Sequence, residues 1–203
     1  MSDSFLVPIQ RYRHSIEVNK SRFICTLDPV ENQQQAKTLL STIRTEFPDS
    51  NHHCWAFQIG APKSALLGCS DDGEPHGTAG KPILNQLQHS GIGNIQAVVS
   101  RVFGGVKLGT GGLVRAYSDS VGDALEGLQT QPYINWQPFS IQFSYDLEQT
   151  VRQVLNSNQA ELLASHYSDA VAFECKVDKA LIAELKQQLT DISSGRLIFK
   201  LIE

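Results

Sequence analysis

The sequence has few cysteines and no long apolar run, and each absence excludes a class of protein. Its four cysteines stand far apart, with no C-x-x-C pair, and no apolar signal segment opens the chain. No run approaches the roughly 18 apolar residues that a membrane-spanning helix needs. We therefore expect reduced thiols, a cytoplasmic location and no membrane partner.

An overall excess of positive charge is also missing. The chain has 17 Lys and Arg against 21 Asp and Glu, which gives a formal net charge of −4. A protein that binds polyanions over its whole surface must neutralise many phosphates, so this composition argues against that class. Any anion-binding site must therefore be local.

Glycine is abundant in two short blocks. The first is residues 71–81, DDGEPHGTAGK, and the second is residues 101–112, RVFGGVKLGTGG. Glycine gives up more backbone entropy on folding than any other residue, so this density implies unusual dihedral angles or close approach of the backbone.

The second block lies between a predicted buried strand, 95–102, and a predicted helix, 111–128. Backbone N–H groups at a helix N-terminus after a strand can hold an anion, and Lys107 and Arg115 could add charge. The spacing fits neither G-x-G-x-x-G nor G-x-x-x-x-G-K-[ST]. The alternative is a tight turn with close packing of the helix on the sheet.

The first block contains four side chains that suit acid–base chemistry or a hard cation, which are Asp71, Asp72, Glu74 and His76. Their spacing does not match a calcium-binding loop, because no late glutamate follows. The alternative is that Asp72 and Gly73 form a turn while Asp71 or Glu74 caps nearby amides.

Basic residues cluster around the same segments. Lys20 and Arg22 lie near the start, and four further cations oppose only one acid between residues 74 and 117; these are Lys81, Arg101, Lys107 and Arg115, against Glu74. If the fold brings residues 20–23 beside the glycine blocks, positive charge concentrates on one surface. Phe103 and Tyr117 could then stack on unpaired bases.

The hydrophobic pattern predicts two domains, residues 1–132 and 136–203. In the first, we expect strands or a hairpin around Asn19 and Lys20, then a helix capped by Asp28 with Pro29 and Glu31 in its first turn. A strand over 51–60, a loop over 61–70 and a helix over 81–89 follow.

The second predicted domain has no glycine before Gly195. Its pattern predicts a strand, a helix, two strands, a helix and a strand, over 139–145, 147–156, 160–167, 170–177, 178–189 and 196–202. This βαββαβ order is that of ferredoxin-like domains, so the predicted fold class is α+β.

Four segments resemble the IMPACT family, specifically its bacterial two-domain, YigZ-type members. They are KSRF at 20–23, HCWA at 53–56, DDGEP with GTAGKP at 71–82, and GGVKLGTGGLV with RAY at 104–117. The resemblance covers nearly the whole chain. It implies an N-terminal α/β domain like domain IV of translation elongation factor G and a C-terminal ferredoxin-like domain.

The resemblance also implies a link to translation, with RNA or the ribosome as partner and possibly a protein partner. The binding residues predicted on this basis are Lys20, Arg22, Asp71, Asp72, Glu74, Lys81, Arg101, Phe103, Gly104, Gly105, Lys107, Gly109, Gly111, Gly112, Arg115 and Tyr117. No catalytic residue, metal or cofactor is predicted. Two alternatives stay open: an enzyme that acts on a phosphorylated small molecule through Asp71, Asp72, Glu74 and His76, and a protein-binding regulator.

Overall fold

A computed structural model describes residues 5–202 of the chain. The chain divides into two compact units, which meet in sequence between Tyr133 and Ile134. The strands of the first unit are β1 (Leu6–Pro8), β2 (Tyr12–Val18), β3 (Ser21–Pro29), β4 (His52–Ile59), β5 (Leu66–Ser70), β6 (Ile95–Val102) and β7 (Thr130–Pro132). Its helices are α1 (Gln33–Glu46), α2 (Gly80–Ser90) and α3 (Gly109–Glu126).

Five strands of the first unit form one antiparallel sheet, in the order β2-β3-β6-β4-β5. β6 lies at the centre, and seven of its eight residues are buried, as its continuous apolar run predicts. β2 and β3 form the predicted hairpin, which turns at Asn19 and Lys20. A separate two-stranded sheet pairs β1 with β7.

Helices cover both faces of the five-stranded sheet. α2 and α3 pack on the face that carries Cys25, Ala97 and Val99, together with the other residues of the main core. α1 packs on the opposite face, against a smaller core that includes Phe57 and Val98. Because side chains alternate along a strand, neighbouring residues of β6 serve different cores.

The predicted start of α1 is wrong. Asp28 and Pro29 belong to β3, where they pair with β6, and the helix begins four residues later. Its N-cap is Asn32, whose side chain accepts a hydrogen bond from the Gln35 N–H at 2.9 Å. Both Asp28 and Asn32 can cap a helix, and the strand pairing of Asp28 decides between them.

The predicted loop over 61–70 is also wrong in its second half, because Leu66–Ser70 forms β5. This strand pairs with β4 at the edge of the sheet. Its glycine and serine give a weak local signal for a strand, so the pairing partner determines its structure. The predicted α2 and β6 are confirmed to within a residue at each end.

The second unit contains β8 (Trp136–Phe143), a 3-10 turn (Tyr145–Leu147), α4 (Glu148–Ser157), β9 (Glu161–Tyr167), β10 (Val171–Asp178), α5 (Ile182–Ser193) and β11 (Ile198–Leu201). Its sheet has the order β11-β8-β10-β9 and antiparallel pairs throughout. The predicted βαββαβ order and α+β class are confirmed. α5 begins four residues later than predicted, because Asp178 still belongs to β10.

None of the helices between residues 5 and 202 is long and apolar enough to cross a membrane.

Candidate functional site

The loop after β6 is held directly against the β2–β3 hairpin. A methyl group added at Gly104 would overlap the backbone carbonyl of Lys20, and the Gly104 N–H donates to the Ser21 hydroxyl at 3.1 Å. On the other side, the Phe103 N–H donates to Asn51 Oδ1 at 2.8 Å. The predicted proximity of residues 20–23 to the second glycine block is therefore present.

The hairpin turn presents two cations beside that loop. Asn19 and Lys20 have φ values of 49° and 65°, the left-handed conformations that a two-residue hairpin turn requires. Arg22 lies opposite Val102 at the end of β6. Lys20 and Arg22 are both exposed.

The other glycines of this block shape the entry into α3. Gly105 and Gly109 have φ values of 86° and 72°, and α3 begins at Gly109, two residues before the predicted start. Gly111 and Gly112 lie in its first turn. No side chain of residues 5–202 caps this N-terminus, so N–H groups of the first turn have no side-chain partner there.

Behind this loop lies a buried ion pair. Arg101 Nη1 donates to Glu74 Oε1 at 2.6 Å, and the two side chains are 7% and 4% exposed. The Tyr117 hydroxyl donates to the same oxygen at 2.8 Å. A buried charge is tolerated only when it is paired and hydrogen-bonded. The Glu74 carboxylate meets both conditions.

Tyr117 does not have the predicted stacking role. Its ring is fully buried and packs edge-on against Phe23, with the ring centroids 5.2 Å apart. Burial raises the pKa of its hydroxyl above the usual range. The prediction of a stacking face at Tyr117 is wrong, because no base can reach a core ring, whereas Phe103 is 44% exposed.

Asp71 caps the start of α2. Its Oδ1 accepts hydrogen bonds from the N–H groups of Ala79 and Gly80 at 3.0 and 2.8 Å, and its Oδ2 accepts one from Gly77 at 2.8 Å. Partial burial raises the pKa of this carboxyl, but the three N–H donors outweigh burial and hold the pKa below its usual value. Of the two alternatives predicted for Asp71, the structure shows the cap.

Replacing Asp71 with asparagine is expected to lower the free energy of unfolding at neutral pH by roughly 1–2 kcal/mol, because the amide offers one acceptor oxygen where the carboxylate offers two. A depressed folded-state pKa contributes stability above the unfolded-state pKa, and this contribution is lost as the pH falls through the folded-state pKa. The variant should therefore lose less stability than the wild type between about pH 5 and pH 2. Urea unfolding at a series of pH values measures the difference, and parallel pH profiles would contradict it.

Asp72 is also engaged by the fold. Its Oδ1 accepts from Arg44 Nη2 and its Oδ2 from the His53 N–H, each at 2.7 Å. The Asp72 carbonyl lies 2.8 Å from His52 Nδ1, so that ring nitrogen carries the proton. Asp72 has a φ of 43° and begins the predicted turn with Gly73.

The carboxylates of the first block are thus committed to structural partners. His76, by contrast, is 97% exposed, and its Nδ1 is 3.9 Å from Asp71 Oδ2. Within residues 5–202, no three His, Cys, Asp or Glu side chains are grouped to hold a metal ion. Cys54 is buried beneath the block. The pKa of its thiol is raised to about 12, mainly by this burial. That thiol stays protonated at neutral pH.

A cavity of about 440 Å³ opens between the two glycine blocks. Five of the predicted residues line it, and these are Glu74, Arg101, Phe103, Lys107 and Gly109. Asn51, His52, Leu108 and Thr110 also line the cavity but were not predicted. No local sequence signal marks Asn51 and His52; the pairing of β4 with β6 places both beside Arg101.

Five of the predicted cations are exposed and form no salt bridge with any described residue; they are Lys20, Arg22, Lys81, Lys107 and Arg115. Lys107 lines the cavity, while Lys20 and Arg22 flank its loop. Lys81 and Arg115 lie in the N-terminal halves of α2 and α3 and do not line the cavity.

Comparisons with known proteins agree with this architecture. The model of the Impact N-terminal domain matches residues 19–125, and that of a domain of unknown function, DUF1949, matches residues 141–196. The chain is similar to the IMPACT family member YigZ of Escherichia coli, with 41% identity over 99% of each chain. It is also similar to an IMPACT family member of Haemophilus influenzae, with 40% identity over 98% of this chain and 97% of the relative.

Two further comparisons extend the picture. The human protein IMPACT is 31% identical over 47% of this chain, which is 31% of the human protein. A crystal structure described as that of a hypothetical protein superposes on 100% of this chain, with a TM-score of 0.72 and 40% identity. The two-domain architecture and both domain matches lead to one conclusion: this chain belongs to the IMPACT family.

Proposed function

We propose that the protein binds RNA, ribosomal RNA included, through the surface around the cavity between the two glycine blocks. The proposal rests on one observation: the acidic side chains of this surface have partners within the fold, while its basic side chains are exposed. The three carboxylates Asp71, Asp72 and Glu74 are each paired or hydrogen-bonded within the fold, whereas the five exposed cations around them form no salt bridge with any residue between 5 and 202. The local excess of positive charge therefore faces solvent despite the negative total.

Each feature of this surface has a counterpart in RNA. Lys20, Arg22, Lys107 and the exposed Arg115 would contact phosphates. The uncapped N-terminus of α3 favours a negative group at Gly109. The exposed Phe103 ring would stack on an unpaired base, and Arg101 lies 5.6 Å below that ring. Arg101 itself is 6% exposed, so its contribution is to neutralise Glu74 and support Phe103.

We further propose that this binding takes place in the cytoplasm and acts on translation. The support is the family membership, the likeness to domain IV of elongation factor G that this membership implies, and the four free cysteines.

Charge reversal tests the proposal. Replacing Lys107 and Arg115 together with glutamate is expected to weaken RNA binding and to reduce the slope of log K against log salt by about 1.5, because each lost phosphate contact removes roughly 0.7–0.9. Filter binding to total ribosomal RNA and co-sedimentation with ribosomes, each across a salt series, measure the effect.

The matched control replaces Lys179 and Lys200 with glutamate. These lysines are exposed residues of the second unit, so the net charge changes equally while the proposed surface stays intact. Equal loss of binding in both double variants would show a non-specific charge effect and overturn the proposed surface, as would wild-type association of the Lys107 and Arg115 variant at every salt concentration.

One observation favours protein binding as a second function. Several large apolar side chains of the second unit are exposed on β9 and β11, at the two edges of its sheet; they are Leu162, Leu163, Tyr167, Ile198 and Leu201. Exposed apolar edge strands pair readily with other chains. The enzyme alternative has less support, because the acids it requires are committed to structural contacts.

A further inference from the structure

The α1 face of the first sheet contains a second cavity, which the proposed RNA surface does not use. It has a volume of about 310 Å³ and lies between α1 and strands β4 and β5. Its walls are largely apolar and include Ala36, Leu40, Trp55, Phe57 and Leu67. This volume is at the lower end of the range for small-molecule sites, so it suits a ligand of one or two rings.

One buried polar group interrupts this apolar lining. Gln96 contributes to the cavity wall and is 1% exposed. Its Oε1 atom receives no hydrogen bond from any residue between 5 and 202. It lies on β6 directly opposite Phe57 of β4. An unsatisfied buried amide oxygen destabilises the ligand-free protein, so a ligand that donates a hydrogen bond to it gains in affinity.

The aromatic wall indicates the shape of that ligand. The rings of Trp55 and Phe57 are parallel to within 5°, with centroids 5.7 Å apart. The two rings form an offset stack, and a planar aromatic ligand can extend such a stack. Phe57 also lies over Gly68 of β5, where any side chain would displace the ring, so the glycine keeps the ring in place.

We propose that this cavity binds a purine nucleobase, carried by a nucleoside or a nucleoside monophosphate. A glutamine amide has an acceptor and donors side by side, which match the adjacent donor and acceptor on the N6/N7 edge of adenine. The base would stack on Trp55 and meet Gln96 with this edge. Lys37, which lines the cavity, is exposed and forms no salt bridge among residues 5–202; it would contact the phosphate of a monophosphate.

Fluorescence of Trp55 tests the proposal. The chain has two tryptophans, so a Trp136→Phe background leaves Trp55 as the reporter. Titration with adenosine should quench its emission to saturation, and adenosine monophosphate should bind more tightly. Lys37→Ala should remove that added affinity while adenosine binding is kept; if it does not, the phosphate contact is absent and the ligand is the nucleoside.

Gln96→Met is the decisive variant, because it removes the amide at similar volume. It should weaken adenosine binding at least about tenfold, while the ligand-free protein stays as stable as the wild type or becomes more stable, since an unsatisfied polar group is lost. The Lys107 and Arg115 double variant should bind adenosine normally, which separates this site from the RNA surface.

Three results would overturn the nucleobase site. These are no saturable quenching by adenosine or its monophosphate at millimolar concentration, equal affinity in Gln96→Met and wild type, and equally tight binding of indole, which has a planar ring but no adjacent donor and acceptor.

Discussion

Replacing Glu74 with glutamine is expected to lower the free energy of unfolding by about 3 kcal/mol, because the change leaves Arg101 as a buried charge without its counter-ion. The shape of the side chain is kept, so packing around it changes little. Tyr117 can still donate to the remaining amide oxygen. Urea unfolding followed through the emission of Trp55, in the Trp136→Phe background, measures the stability of the first unit.

The matched control is Asp123→Asn, which removes the same charge from the exposed face of α3. Asp123 is 53% exposed and lies 4.0 Å from His14, so its loss should cost about 0–1 kcal/mol. Combining Glu74→Leu and Arg101→Met with Tyr117→Phe should recover part of the stability lost in Glu74→Gln, because an apolar group of similar volume often replaces a buried ion pair at little cost and the third change removes the hydroxyl that Glu74 accepts from. Similar stabilities for Glu74→Gln and Asp123→Asn would contradict the assignment of a buried pair.

Much of the fold could be predicted because its local signals agree with its tertiary contacts. The apolar run of 95–102 predicts a buried strand, and β6 is the central strand of the first sheet. Pro82 lies in the first turn of α2, and Gly91, in a left-handed conformation, ends that helix, as their backbone preferences favour. Asp28 and Asn32 are both suitable N-cap residues. Because β3 pairs with β6 as far as Pro29, the helix begins only after Asn32.

The site was harder to predict, because charge and aromaticity do not reveal burial. Arg101 and Arg115 look equivalent in a count of basic residues, yet one is buried against Glu74 and the other is exposed. Strand alternation already distinguished Arg101, which shares its face of β6 with the core residues Ala97 and Val99. Helical spacing likewise placed Tyr117 with Leu113 and Val121, and that periodicity was a better guide than its aromatic ring.

The cavity residues Asn51 and His52 show a different limit. Both precede the second glycine block by some 50 positions, so no local pattern connects them to it. The pairing of β4 with β6 brings them to the same end of the sheet. Asn51 then accepts a hydrogen bond from the Phe103 N–H, and this bond fixes the exposed ring on which the proposed base stacking depends.

Replacing Gly104 with alanine is expected to lower the free energy of unfolding by about 3 kcal/mol, at the upper end for overpacked sites. The added methyl group would overlap the carbonyl of Lys20, and backbone, unlike the end of a flexible side chain, cannot move aside alone. The hairpin would have to separate from the loop and would carry Lys20 and Arg22 away from Phe103. The midpoint of thermal unfolding should fall, and RNA affinity measured by filter binding should decrease.

Gly111→Ala is the matched control within the same block. Apart from its chain neighbours and the backbone of its own helix, no heavy atom of residues 5–202 lies within 4 Å of the position that its methyl group would take. The residue lies in α3, where alanine is favoured over glycine by up to about 1 kcal/mol. The two substitutions should therefore change stability in opposite directions, although both add one methyl group to a glycine of the second block. Equal effects would mean that Gly104 does not hold the hairpin against the loop, and the adjacency of Lys20 and Arg22 to the proposed RNA surface would then lose its structural basis.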